Sequence, residues 1–189
     1  LKNMRTPEKK KIRIEQNFLP PIFFNKLKSI LSRHTFPWYF LPSTVGPRVF
    51  TNPRAIEQDN HFMFNHTLLH FDKTYMTSNW FKDFEPILYY LADKIKLKKL
   101  VRMRLNLYTN QNKIVEHSPH IDIREKGKAD PNVTISILNF TTCNGGTVIQ
   151  GKKYLSNANE LLIFNNINKH FGIVQTDTPS RIVLNIATT

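Results

Sequence analysis

Apolar and polar positions change their period near residue 100. Before it, Phe23, Leu27, Ile30 and Leu31 recur at helical spacing behind Pro20 and Pro21, and proline is well placed in a first turn, so a helix is predicted from about residue 21. A second helix is predicted from Pro86, with Leu88, Leu91 and Ile95 as its apolar stripe. Between them, residues 36–79 mix aromatics with turn formers in no clean period, which predicts short strands and loops laid on a core. Beyond residue 100 the period becomes two. Met103, Leu105 and Leu107 alternate with Arg102, Arg104 and Asn106, the pattern of a half-buried strand. Further strands are predicted at 133–140, 146–150, 160–164, 172–175 and 182–187, with Asn144, Gly145, Gly146 and Gly151 marking tight turns. Many short strands punctuated by turns imply a sandwich or barrel braced by the N-terminal helices, not a βαβ sheet.

With 189 residues and 40% hydrophobic positions the chain has the size and apolar content of a single domain. Residues 1–99 read as helical and irregular support, and 100–189 as the β core. Cys143 is the lone cysteine, which excludes an internal disulfide and a zinc–cysteine cluster and suits a reducing cytoplasm. No secretory leader is legible, and no apolar run approaches the ~20 residues needed to span a bilayer. The formal charge of +13 favours contact with polyanions. Its lysines are scattered rather than clustered, apart from Lys9, Lys10 and Lys11 and the stretch Lys94, Lys96, Lys98 and Lys99, placed on the second helix and its exit. Weak, non-specific nucleic-acid binding is expected from such a distribution, and no membrane partner.

The residues that carry chemistry lie in the β half. His120 and Asp122 are two apart, so on a strand both point to one face and can meet a single ion. His170 opens a later predicted strand. Two histidines and one carboxylate on one face of a metal are the facial triad of non-haem Fe(II) oxygenases, which leaves positions open for a 2-oxo acid and dioxygen. Arg181 stands eleven residues beyond His170. A guanidinium there can bind the distal carboxylate of 2-oxoglutarate through two parallel hydrogen bonds, which lysine cannot reproduce. Asn106 and Tyr108, on one strand face, are further candidates for that co-substrate. A second His-x-Asp, His70 and Asp72, falls in the irregular half and lacks the histidine and arginine that follow the first. His117 is expected to line the mouth of the site or to be exposed.

Taken in order, Asn106-Leu-Tyr108, His120-Ile-Asp122, Thr134-Ile-Ser-Ile-Leu-Asn139, Gly145-Gly146-Thr147, Asn159-Glu-Leu-Leu-Ile-Phe164, His170 and Arg181 resemble the 2-oxoglutarate/Fe(II) dioxygenase superfamily. The similarity is greatest to its prolyl-4-hydroxylase-like branch and small phage-type members, and it covers residues 100–189. The resemblance implies a double-stranded β-helix, or jelly roll, braced by helices. It also implies catalytic and iron-holding roles for His120, Asp122 and His170, and 2-oxoglutarate binding by Arg181, Tyr108 and Asn106. Fe(II), 2-oxoglutarate and O2 would be required, with ascorbate as an accessory reductant. The product would be a hydroxylated protein side chain or small molecule, with succinate and CO2. Ile137 stands where the branch carries a tyrosine, and no glycine follows Tyr108; both departures bear on the prime substrate. Two other readings stay open. One is an AlkB-like oxidative demethylase of nucleic acid, favoured by the basic charge but lacking a second arginine after Arg181. The other is a jelly roll that binds metal without catalysis. Trp38, Tyr39 and Arg54 are candidates for a lid or wall.

Overall fold

The computed structural model describes residues 12–44 and 61–189; Lys9, Lys10, Lys11 and Arg54 lie outside them. Thirteen strands are present among the described residues: β1 (Arg13–Glu15), β2 (Tyr39–Leu41), β3 (Met63–Asp72), β4 (Thr74–Thr77), β5 (Leu100–Thr109), β6 (Arg124–Glu125), β7 (Lys128–Ala129), β8 (Thr134–Asn139), β9 (Cys143–Ile149), β10 (Lys152–Ser156), β11 (Leu161–Asn165), β12 (His170–Ile173) and β13 (Ser180–Thr188). Three helices accompany them: α1 (Pro21–Leu31), α2 (Phe81–Phe84) and α3 (Ile87–Ala92). None is long and apolar enough to cross a membrane.

All strand pairings among the described residues are antiparallel. The larger sheet runs β1-β11-β8-β13-β5-β3-β2, with β4 on β3; a smaller sheet runs β10-β9-β12, and β6 and β7 form a hairpin. Alternation along the large sheet separates two cores. Met103, Leu105, Leu138, Leu161, Ile163, Leu184 and Ile186 face the helices and pack with Phe24, Leu27, Ile30, Ile87 and Leu91. Residues on the other face, including Tyr108, Ile135, Ile137, Leu162, Phe164 and Val183, turn inward and meet Ile149 of the small sheet. Fully buried leucines such as Leu27 and Leu138 are each worth roughly 1.5–3 kcal/mol of transfer free energy. The expected jelly roll with helical bracing is therefore present.

Local departures have physical reasons. In α1 the buried position is Phe24, stacked on Phe140 at 5.4 Å between ring centroids, while Phe23 is only partly buried. Helix α3 ends at Ala92, so Ile95 and the lysines from Lys94 to Lys99 follow it rather than lie on it, and Ile87 and Leu91 form its buried face. Gly145 and Gly146 do not turn the chain; they sit inside β9. A Cβ on Gly145 would stand 2.8 Å from the carbonyl oxygen of Ile173, and one on Gly146 would strike the carbonyl of Tyr154. Glycine here lets β12 and β10 close on β9 from both sides. The real turn is Gln150-Gly151, both at positive φ, between β9 and β10.

Candidate metal centre and its pocket

His120 and Asp122 are not on a regular strand. His120 forms an isolated antiparallel bridge with His170, at the start of β12. The two residues exchange both backbone hydrogen bonds, at 3.0 and 3.1 Å. That pairing sets the rings 4.6 Å apart between centroids. Asp122, two residues on, brings its carboxylate beneath both. Its Oδ2 lies 3.2 Å from His170 Nε2 and its Oδ1 3.9 Å from His120 Nε2. All three ligand atoms fall within 4.8 Å of one another, forming the group among the described residues suited to hold a metal ion.

Ring orientation favours that use. Nδ1 of His120 is 3.1 Å from the Ser118 carbonyl and Nδ1 of His170 is 3.4 Å from that of Asn168. A nitrogen facing a carbonyl oxygen serves as a donor, which leaves Nε2 as the lone-pair atom turned to the carboxylate. Two lone pairs and an anion then converge, an arrangement that a cation between them relieves. Burial, and then the neighbouring His170, lower the His120 pKa to about 4, so its lone pair stays available at neutral pH. At Asp122 burial opposes ionisation, but Arg102 beside it holds the carboxyl well below its usual range.

Asp122 is itself tightly held. Arg102 Nη2 donates to Oδ1 at 2.5 Å, and Asn185 Nδ2 donates to Oδ2 at 2.8 Å. Arg102 also donates to Asn185 Oδ1 at 3.2 Å, which closes the triangle. The side chain of Asp122 is only 3% exposed. Orientation by such surrounding groups is what fixes a ligand and tunes its basicity.

Arg181 is buried to 2% exposure and enters the same pocket from β13. It is opposite Tyr108 in register, with its guanidinium carbon 5.4 Å from that ring's centroid, and Nη2 donates to Thr147 Oγ1 at 3.0 Å. Among the described residues its Nε has no hydrogen-bond partner, and the same holds for Asn106 Oδ1 and His117 Nε2, all buried around this pocket. Buried polar atoms are normally satisfied, so three such atoms around one pocket mark the place of a ligand. Gly172 contributes by what it lacks: a Cβ there would stand 3.1 Å from His117 Nδ1 and 3.6 Å from Arg181 Nη1. His117 is buried rather than exposed, and its pKa is pushed down to about 3 by burial first and then by His61 and Arg181. The cavity encloses about 30 Å³, roughly two waters' worth.

The second His-x-Asp stands apart from this cluster. His70 and Asp72 end β3, Asp72 is exposed, and no third ligand joins them among the described residues. Tyr39 is exposed and Trp38 packs against the helix-side core. Arg102, Arg104, Asn185 and Thr147 were not singled out from the sequence. The signal for the first two was available, because Arg102, Arg104, Asn106 and Tyr108 share one face of β5 by simple alternation.

No protein-family profile matches the chain, and no curated protein sequence matches it. Solved structures do. A 2OG-Fe(II) oxygenase family oxidoreductase from Burkholderia pseudomallei superposes with a TM-score of 0.64 at 9% identity, covering 94% of this chain and 85% of that one. A prolyl-4-hydroxylase from Pseudomonas putida gives 0.57 at 11% identity, over 94% and 91% of the two chains. The non-haem alpha-ketoglutarate-dependent epimerase SnoN of nogalamycin biosynthesis gives 0.57 at 10%, over 93% and 77%. The chain therefore has the fold of these oxygenases. That fold carries both hydroxylation and epimerisation, so the reaction must be argued from the site.

Proposed function

We propose that this chain is an Fe(II)- and 2-oxoglutarate-dependent oxygenase that hydroxylates a protein side chain or a small molecule. The observation that carries the reading is the convergence of His120, Asp122 and His170 in a pocket that also contains the buried, partly unpartnered guanidinium of Arg181. His120, Asp122 and His170 would hold iron, a donor set of two imidazoles and one carboxylate that suits it. When bound, iron with 2-oxoglutarate and O2 supplies the oxidation, yielding succinate, CO2 and hydroxylated product.

The chain's own residues do the rest. Arg102 and Asn185 fix the plane of the Asp122 carboxylate and keep it ionised. Arg181, braced by Thr147 and Tyr108, offers a two-pronged anchor to the far carboxylate of the co-substrate. Asn106 and Tyr108 present an amide and a phenol on the same wall. The inner sheet face below them, Ile137 and Val183, excludes water from the reacting region. Because the enclosed space is small, admission of the co-substrate requires a lining side chain such as Met63 to move aside.

A nucleic-acid substrate is the second reading. It is favoured by a groove of about 730 Å³ lined by Arg13, Lys94, Lys96 and Lys98, although Glu15 offsets part of that charge by pairing with Arg13 and Lys94. The test of both is succinate release from 2-oxoglutarate with Fe(II), screened against amino-acid, peptide and nucleotide pools. Stimulation by an amino-acid or peptide pool supports hydroxylation, and stimulation by nucleotides alone supports the second reading. No succinate with any pool, in protein that binds the metal, points to a metal-binding roll without catalysis.

A further inference from the structure

Arg102 and Arg104 stand two apart on the inner face of β5, yet of the two only Arg102 forms an ion pair among the described residues. Asp122 is committed to Arg102 and Asn185. Arg104 forms no ion pair among the described residues, and its Nε is buried without a hydrogen-bond partner. Burial, and next the proximity of Arg102, lower its pKa to about 10, so at neutral pH it remains a fixed cation. A half-buried guanidinium that lacks a paired carboxylate costs stability. In register β3 places Thr67, a residue with a far smaller side chain, opposite it.

Charge balance points the same way. Arg102, Arg104 and Arg181 line the two adjoining cavities, and Asp122 is the single carboxylate among the described residues that line them. On the proposed reading the metal adds two positive charges and 2-oxoglutarate removes two, so the cationic excess persists with both in place. The second cavity is a cleft of about 520 Å³, lined by Thr67, His70, Thr77, Ser78, Arg102 and Arg104. It offers hydroxyls, an imidazole and two guanidiniums. Arg104 lines both cavities and so forms the wall between this cleft and the His120–Asp122–His170 centre.

We propose that this cleft is the prime-substrate site and that its substrate carries an anionic group, a carboxylate or a phosphate, bound by Arg104. Thr67 and Thr77 supply hydroxyl donors beside it. An anion held there keeps the rest of a small substrate within reach of the metal centre. The assignment of the bound molecule as the substrate rests on the oxygenase reading; the anion site itself does not need a metal.

Calorimetric titration tests this with four probes: N-acetylaspartate and N-acetyl-O-phosphoserine, against neutral N-acetylasparagine and N-acetylserine. Each is titrated into the metal-free protein and into protein holding Mn(II) and saturating 2-oxoglutarate. At least one anion should bind about tenfold or more tightly than its neutral counterpart, and which of the two does so separates carboxylate from phosphate. Arg104→Met should remove that preference, and Arg104→Lys should restore part of it. Its 2-oxoglutarate affinity should stay within about twofold of wild type. Anions that bind no better than the neutral probes overturn the proposal, and that comparison needs no variant. So does an Arg104→Met protein that keeps the preference, or one that loses 2-oxoglutarate instead, which would assign Arg104 to the co-substrate. Failure of the wild-type protein to take Mn(II) and 2-oxoglutarate, with Arg104-dependent anion binding intact, would sink the oxygenase reading and leave the anion site standing.

Discussion

Arg102 and Asp122 meet across the floor of the pocket, Nη2 to Oδ1 at 2.5 Å, from β5 and from the extended segment that follows His120. Both side chains are largely buried, at 12% and 3% exposure. The pair gives the carboxylate one fixed orientation, and Asn185 completes it from β13. Removing one partner of a buried pair leaves an uncompensated charge.

Arg102→Met should therefore weaken metal binding without removing any ligand. Loss of a group that orients a ligand typically costs about 10–100-fold in metal affinity. Competition against a chelator of known affinity measures it. An unchanged affinity would mean that Asn185 alone positions Asp122.

His120→Ala and His170→Ala should abolish Fe(II) binding, and Asp122→Ala should abolish it or leave a weak, inactive site. His70→Ala and Asp72→Ala should leave binding unchanged. Metal content after dialysis distinguishes the sets. Loss with the second set and retention with the first would place the metal at the end of β3 instead.

The metal-free protein should lose stability on acidification below about pH 6.5, the ordinary histidine value. The folded-state pKa values of His117 and His120 are lowered to about 3 and about 4. Below pH 6.5 the unfolded chain takes protons that these buried rings refuse, so stability falls with pH until the folded pKa is reached. Each ring contributes at most about 1.4 kcal/mol per pH unit. Asp122 acts with the same sign lower down: its depressed pKa adds stability above the ordinary carboxylate range, lost as pH falls through its folded value. Thermal melts from pH 7.5 to 4.5 should show the decline, and His117→Gln should flatten it. A wild-type midpoint that holds level over that range would contradict the burial of neutral imidazoles.

The fold and much of the candidate site were legible from period and order, and the failures have identifiable causes. Strand β3 escaped because its register shifts between Thr67 and Leu69 against β5. A bulge of this kind breaks the alternation, and Leu68 and Leu69 are both buried. Strand β10, Lys152–Ser156, is mostly exposed at the edge of the small sheet and has no apolar alternation to read. On β5 the alternation is plain and marks Asn106 and Tyr108 as candidates to face the co-substrate, but Arg102 and Arg104 on the same face were passed over. A polar face of Arg102, Arg104 and Asn106 ordinarily faces water, whereas here Arg104 and Asn106 line the space that contains the candidate metal centre and Arg102 grips Asp122. The Arg102–Asn185 clamp on Asp122 depends on strand neighbours far apart in sequence, which one chain's pattern does not reveal.

Nucleic-acid binding should be weak and salt-sensitive. The lysines beyond α3 are spread along a groove rather than concentrated, and Lys99 lies over the Phe71 ring, with Nζ 3.2 Å from its centroid. Affinity for single- and double-stranded DNA should fall steeply between about 50 and 200 mM salt. A tight, structure-selective complex at physiological salt would favour the nucleic-acid reading of the substrate.

The most direct test is an anaerobic titration of the Fe(II)-loaded protein with 2-oxoglutarate, followed by its metal-to-ligand absorption band. Wild-type protein should develop a saturable band, and His170→Ala should show none. Arg181→Ala should still bind iron but need about 10²–10³-fold more 2-oxoglutarate, the cost of truncating one side of a buried charge pair, with Arg181→Lys in between. Absence of a band in iron-loaded wild-type protein, or a midpoint unmoved in Arg181→Ala, would contradict the assignment of His120, Asp122, His170 and Arg181 to one iron and 2-oxoglutarate site.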